Sequence, residues 1–398
     1  MSSVRTQIGI IGAGPAGLLL GHLLHLQGIE SIILEDRSRA YVERRVRAGV
    51  LEAGAAELLR ESGVGARMDR EGMFHRGIYL QFAGARHHID FVDLTGHGIT
   101  IYGQQEVVKD LIAARLAWGG PLLFESEATA VREIEGDHPV ICYRQGDEEG
   151  VIACDVVAAC DGSHGIGRTV LAATSPRIYE REYTFGWLGI LARTPPASEE
   201  LIYAYHETGF ALHSMRTPEI SRLYLQVPAD EDLKNWPERR IWAELRLRLG
   251  EPGLPSGEIL DIGITPMRSL VAEPMQCGRL FVLGDAAHVV PPTGAKGMNL
   301  ALADARDLAA ALATWYRSGD RTALDAYSDA CLRRVWQAEH FSAFMTNLLH
   351  LDAAHDPFQH RLRLAHLAYL TRSRAAAGSL AENYTSAATG LRAVGSLD

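Results

Sequence analysis

A glycine pattern near the N-terminus constrains this chain more than any other feature. Gly12, Gly14 and Gly17 stand in G-x-G-x-x-G spacing, with Gly21 one helical turn further on. The apolar run Ile8–Ile11 precedes them and suits a buried parallel strand. A helix is predicted from about Ala16 to Gln27, closed by Gly28, followed by a second buried strand, Ser31–Leu34, that ends at Glu35. This is a βαβ unit. Its first glycine permits the tight turn, and its second lets the backbone approach a pyrophosphate. The third, helped by Gly21, lets helix and strand pack closely, while the helix N-terminus faces the phosphates. Glu35 is placed to accept hydrogen bonds from an adenosine ribose.

The same glycines remove a competing interpretation. Ile8–Leu20 resembles a signal-peptide core, but Gly9, Gly12, Gly14, Pro15 and Gly17 break it, and it is too short to span a membrane. Cys142, Cys154, Cys160, Cys277 and Cys331 are odd in number and lack metal-ligand spacing. They are expected to be buried small hydrophobes in a reducing compartment, with no metal site. With 39 Lys and Arg against 49 Asp and Glu, the net charge of −10 argues against nucleic acid or an anionic membrane as partner. It leaves a small anionic substrate open. A soluble, cytoplasmic protein is expected.

A length of 398 residues implies two to three domains, most simply two. Helices are predicted at Gly54–Glu61 and Gln105–Trp118, and strands at Ala128–Ile134, Val140–Tyr143 and Val151–Ala159. Between about Tyr183 and Pro228 the texture changes. Phe185–Leu191, Leu201–Tyr205, Phe210–Ser214 and Leu223–Val227 suggest an antiparallel sheet. Arg279–Gly284 forms a further strand, and helices follow at Gly297–Arg317, Thr322–His350 and His360–Arg372. The predicted fold is α/β. A Rossmann-like dinucleotide domain takes residues 1–180 plus 267–320, an interleaved antiparallel-sheet substrate domain takes 181–266, and a helical region takes 321–398.

Two further motifs bear on the dinucleotide. Asp161-Gly162 ends one buried strand, and Gly284-Asp285 ends another. An aspartate so placed accepts from a ribitol or ribose hydroxyl, and each pair alone is common in turns. In this order with the glycine fingerprint, they resemble the FAD-binding pattern of the flavoprotein aromatic hydroxylases. Further stretches narrow the resemblance: Arg47-Ala48-Gly49-Val50-Leu51-Glu52, Tyr102-Gly103-Gln104, Phe185-Gly186-Trp187-Leu188-Gly189, Leu201-Ile202-Tyr203-Ala204, Gly284 through Gly297, and Ala381-Glu382-Asn383-Tyr384. Over Gln7 to Tyr384 the chain is similar to the para-hydroxybenzoate hydroxylase group of single-component FAD enzymes.

That resemblance implies an FAD-dependent monooxygenase using NADH or NADPH and O2. It would hydroxylate 4-hydroxybenzoate at the 3-position to 3,4-dihydroxybenzoate, through attack of a flavin C4a-hydroperoxide on the substrate phenolate. Tyr203 would accept the phenol proton, Tyr384 would pass it on, and His75 would connect the relay to solvent. Ser214 and Arg216 would clamp the substrate carboxylate, with Tyr224 adding a hydroxyl. Pro292 would set its carbonyl against the substrate hydroxyl, beside Thr293. Arg47, Gln104 and Arg222 match family contacts to FAD, alongside Asp161 and Asp285. Lys296 would stabilise negative charge, Asn299 would contact the isoalloxazine, and Gly297 would open a helix facing the flavin.

One glycine fingerprint is present, and the family has no separate nicotinamide domain. Donor choice falls to the segment after Glu35. Asp36 repels a 2′-phosphate, whereas Arg37, Tyr41 and Arg45 suit one, which implies relaxed or NADH-leaning use. The alternatives are a hydroxylase of 4-aminobenzoate or a dihydroxybenzoate, a flavin-linked dehydrogenase without oxygen insertion, or a non-catalytic nucleotide-binding regulator. The resemblance favours a homodimer. Residues after Tyr384 are expected to form a loosely held tail.

Overall fold

The computed structural model describes residues 2–47, 49–174, 176–352 and 356–386. Ala48 of the quoted motif and the tail beyond residue 386 lie outside them.

The N-terminal prediction and the structure coincide closely. Ile8–Ile11 and Ser31–Leu34 are fully buried parallel strands joined by the helix Pro15–Leu26. They sit in a six-stranded sheet ordered 276–277, 280–282, 156–159, 8–11, 31–34 and 122–123. All of its neighbours pair in parallel except the edge strand Gln276–Cys277. The long helix Gly297–Ser318 packs on the same core as Pro15–Leu26, so distant segments close one apolar interior.

Val151–Ala159 is not one strand. Glu148–Ala153 belongs to a four-stranded sheet with Ser2–Arg5, Val140–Gln145 and Ser126–Arg132, whereas Val156–Ala159 enters the parallel sheet. The chain changes sheets at Cys154 and Asp155, whose N–H groups donate to the carbonyls of Pro139 and Gln7. Only Asp155 interrupts the otherwise apolar stretch, and it did not separate the partly exposed strand 148–153 from the fully buried strand 156–159.

The second large sheet has eight strands: 288–289, 258–273, 177–193, 220–228, 211–217, 202–204, 77–82 and 85–90. It is antiparallel except where Ile202–Ala204 pairs in parallel with Gly77–Phe82. It therefore reaches well outside 181–266, recruiting an early hairpin and a late strand. Its residues alternate between two environments. Leu188, Ile190, Ile202, Ala204, Leu223 and Leu225 face the helix Glu238–Leu249 in a closed apolar core. The other face carries the polar and aromatic side chains described below.

The helical region also departs from expectation. The predicted Thr322–His350 helix is divided into Thr322–Asp325 and Tyr327–Leu349, and an unanticipated helix, Arg374–Thr385, follows Pro357–Arg372. Cys154, Cys160 and Cys331 are buried, but Cys142 and Cys277 are only partly so, and all five are free thiols. Among the described residues no helix is long and apolar enough to cross a membrane.

Candidate active site

The carboxyl ends of the parallel strands converge on one crevice. Gly12, with φ of 103°, turns the chain so tightly that a Cβ there would lie 2.4 Å from the Cys160 carbonyl oxygen. A Cβ at Gly17 would lie 2.0 Å from the Gly12 carbonyl oxygen. Gly14 differs, since a Cβ there would meet no protein atom within 4 Å. Gly17 is thus required by packing, while Gly14 faces open space at a helix N-terminus with no side-chain cap. That leaves backbone N–H groups and a positive dipole end directed at it.

Glu35 closes this end of the crevice. Its carboxylate accepts from the N–H of Ala13 at 2.8 Å and of Arg37 at 3.0 Å. Burial, with Asp36 beside it, pushes its pKa up to about 7. Across the crevice, Asp161 accepts from the Gly167 N–H at 2.8 Å, while its buried Oδ1 has no partner among the described residues. Burial raises this carboxyl too. Asp285 is exposed in a 3₁₀ turn, and Arg168 donates to the carbonyls of Asp285 and Ala286, tying the turn in place. An orphaned buried acceptor, a cradle that a Cβ would fill and an uncapped helix end together fit an extended dinucleotide. Gln104 opens the helix Gln104–Ala117, and Arg47 is exposed on the loop before Val50.

The polar face of the eight-stranded sheet supplies a second group. Tyr203, Leu212 and Tyr224 lie abreast on adjacent strands, with Ser214 and Arg222 paired in a neighbouring row. Arg216 continues this face; its buried Nε and Nη1 atoms have no partner among the described residues. Its guanidinium presses against Gly49, where a Cβ would approach Nη1 to 2.7 Å. Burial lowers the Arg216 pKa, the expected response of an uncompensated buried cation. Arg222 is instead paired with Asp261 at 3.1 Å and lies over the Tyr224 ring. Gly189 makes room for both, since its Cβ would meet the Arg222 Nη2 at 2.9 Å.

Tyr203 and Tyr384 are brought together from opposite ends of the sequence. Their hydroxyls are 2.7 Å apart, and the two residues are 2% and 1% exposed. Burial raises both phenol pKa values, so neither tyrosine ionises at neutral pH. Trp187 packs on Phe210 and Tyr224, and its indole N–H donates to His350 Nε2 at 2.7 Å. Burial pushes His350 down to about 3, which keeps it the neutral acceptor this contact requires.

The predicted loop 291–297 adopts a 3₁₀ turn, Pro292–Gly294, before the long helix begins at Gly297. Pro292 is exposed, and its carbonyl accepts from Ala295 N. Thr293 is buried and bonded to Thr346 at 2.9 Å. Lys296 is not a free cation: its Nζ sits 2.7 Å from Glu52 Oε1 and 2.9 Å from the Tyr384 carbonyl, and both charged side chains are buried. The Asn299 amide donates to Val50 O and Ala295 O and accepts from Glu52 N, so both of its side-chain donors are already spent on the backbone.

His75 departs from its expected place. It is 1% exposed, with neither ring nitrogen partnered among the described residues, and burial pushes its pKa down to about 4. It therefore does not itself reach solvent. The segment after Glu35 is exposed: Arg37 pairs with Asp36 at 3.2 Å, and Tyr41 lies between Arg37 and Arg45.

Sequence reasoning missed Glu52 as the Lys296 counterion, although Glu52 lies in a quoted motif. It also missed Asp304. That buried carboxylate accepts from Gly284 N and lies 2.7 Å from His288 Nε2 and 3.0 Å from Arg334 Nη2, with its pKa lowered to about 2 by these neighbours despite burial. A lone acid in an alanine-rich helix carries no signal of such a role.

Residues 5–342 match the protein family described as an FAD binding domain. The chain is 43% identical over 388 residues to p-hydroxybenzoate hydroxylase of Acinetobacter baylyi, covering 96% of each. It is 28% identical over 325 residues to rifampicin monooxygenase of Streptomyces venezuelae, covering 75% of this chain and 62% of that relative. Among solved structures, p-nitrophenol 4-monooxygenase from Pseudomonas putida superposes with a TM-score of 0.82 at 17% identity, over 97% of this chain and 99% of that one. That likeness concerns the fold.

Proposed function

The chain belongs to the FAD-binding-domain family and is an FAD-dependent aromatic monooxygenase, and from that premise we propose that it hydroxylates 4-hydroxybenzoate at the 3-position. One observation supports this substrate most strongly: the Arg216 guanidinium, whose buried Nε and Nη1 have no partner among the described residues, shares a sheet face with the hydrogen-bonded Tyr203–Tyr384 pair. Four residues along one strand separate the Arg216 and Leu212 rows, about 13 Å between Cα atoms. Long side chains reaching inward shorten that span to suit a para-substituted benzoate.

When bound, FAD reduced by NAD(P)H activates O2 and supplies the electrophilic oxygen. The protein's own residues then have distinct tasks. Arg216, with Ser214, holds the carboxylate and fixes the ring's direction. The phenol gives its proton to the Tyr203 oxygen as Tyr203 passes its own to Tyr384, which in turn releases its own proton toward solvent. Neither tyrosine retains charge, so the negative charge develops on the substrate, where it enriches the ring. The Pro292 carbonyl receives the substrate hydroxyl. Asp161, Asp285, Glu35 and the glycine loop would hold the dinucleotide, and the main-chain N–H groups at Gly297–Asn299 would be available to the flavin.

The Asp36–Arg37 pair leaves an acid where a 2′-phosphate would lie, which supports a lean toward NADH. Free thiols at all five cysteines suit a reducing cytoplasm. Exposed Phe358, Leu362 and Tyr369 on one helix support a homodimer. The direct test is purification of the yellow flavoprotein and measurement of NADH and NADPH oxidation with 4-hydroxybenzoate. Stoichiometric 3,4-dihydroxybenzoate is expected, and peroxide alone would remove the substrate assignment.

A further inference from the structure

His75 is enclosed, yet a relay that removes a proton from the substrate must reach water. An ionisable pair is built onto the chain immediately after it. Glu200 Oε1 accepts the backbone N–H of Arg76 at 2.7 Å and of Gly77 at 3.2 Å. Glu200 Oε2 lies 2.6 Å from Nε2 of His88. The side-chain exposures are 15% for Glu200 and 32% for His88, so the pair leads from the backbone beside His75 to solvent.

The placement also ties Glu200 to the strand of Tyr203, whereas His88 falls on the opposite face of the sheet. Glu200 is three residues before Tyr203, whose strand pairs with Gly77–Phe82 through Tyr203 and Leu80. His88 lies across from Tyr79 in the next strand, with its ring 4.8 Å from the Tyr79 ring. The neighbouring charges are otherwise engaged. Arg76 pairs with Asp90, and Arg86 pairs with Glu251. His213 accepts from Ala197 N through Nε2, which commits it to the neutral form. Glu200 favours a protonated His75, opposing the effect of its burial.

We propose that Glu200 and His88 form the solvent-side end of the proton route that runs from Tyr203 and Tyr384 past His75. This rests on the reading of those three residues as the relay for the substrate phenol. One proton leaves the phenol and one leaves His88 to water; Glu200 Oε2 takes it up from the His75 side and hands it to His88 Nε2. No electrons move. Glu200 and His88 touch neither substrate nor flavin, and they act through His75 as positioning and transfer groups.

The test is proton release, followed with a pH-indicator dye when FAD-loaded enzyme is mixed with 4-hydroxybenzoate in dilute buffer. His88→Asn and Glu200→Gln are the variants; a glutamine amide oxygen still accepts from Arg76 and Gly77, which protects the fold. Release should slow by on the order of tenfold in each variant and recover on adding imidazole, with substrate affinity unchanged. A parent-like release rate in His88→Asn overturns the proposal, as does slowing that imidazole fails to rescue. If the unaltered enzyme binds 4-hydroxybenzoate without releasing a proton, the relay reading falls and this proposal falls with it. If it does not bind at all, the substrate assignment is what fails.

Discussion

The hydroxyls of Tyr203 and Tyr384 are 2.7 Å apart although 181 positions separate them in the chain. The short strand Ile202–Ala204 presents one, and the last described helix presents the other. Both are buried, so their mutual hydrogen bond is the polar contact that satisfies each phenol. Such a pair can move a proton without either ring holding charge.

Tyr203→Phe removes the first oxygen of that pair and little volume. FAD content and substrate affinity should persist, while coupled hydroxylation falls by roughly 10²-fold. Product formed per NADH consumed is the measurement, and an unchanged yield would take Tyr203 out of the relay.

Arg216→Ala separates binding from stability. Losing a charge-assisted contact to a carboxylate costs about 1.5–3 kcal/mol, or roughly 10- to 150-fold in Kd. The substrate-free protein should unfold no more easily than the parent, because a buried guanidinium with two nitrogens unpartnered among the described residues has been removed. Calorimetric binding and thermal melts with and without 4-hydroxybenzoate report both effects. Unaltered affinity would clear Arg216 of the carboxylate role.

Gly14→Ala and Gly17→Ala should fail differently. A Cβ at Gly14 meets nothing in the protein, so the apoprotein should melt normally but retain FAD poorly. At Gly17 the same atom collides with the Gly12 carbonyl, so the fold itself should be lost or strongly destabilised. Melting temperature and bound flavin, measured on both variants, separate the two roles; full FAD retention by Gly14→Ala would contradict the pyrophosphate assignment.

Three histidines give the apoprotein an acid limit. Burial pushes His75 and His213 down to about 4 and His350 down to about 3, against 6.5 unfolded. The unfolded chain therefore binds their protons first. Their contribution is fully present above about pH 6.5 and is lost as pH falls toward the folded values. Glu35, pushed up to about 7, binds a proton in the folded state and offsets one of the three. Near pH 5.5, unfolding should take up roughly two protons net from these groups, each worth about 1.4 kcal/mol per pH unit. Urea midpoints should accordingly drop between pH 7 and pH 5.5. A flat profile over that range would mean that the three histidines are not held neutral.

Much of the cofactor crevice was legible in the chain, because its determinants are local. A strand, a glycine turn, a helix and a terminal acid lie within Ile8–Glu35, and the spacing of Gly12, Gly14 and Gly17 carries their geometry. The sheet switch at Cys154–Asp155 was not legible, since a single aspartate between two strand-forming stretches does not distinguish one strand from two in different sheets. The hairpin 77–90 was missed for another reason: it joins the substrate sheet through a parallel pairing with residues more than a hundred positions away.

The sequence by itself determined the dinucleotide cradle and supplied the residues that resemble an aromatic hydroxylase site. Tertiary structure alone decided their electrostatic states. It left Nε and Nη1 of Arg216 without a partner among the described residues, paired Lys296 with Glu52, turned Asn299 toward its own backbone and enclosed His75. The reason is physical. Turn geometry depends on neighbouring residues, whereas the charge and availability of a side chain depend on its burial and on partners that only folding brings within about 3 Å.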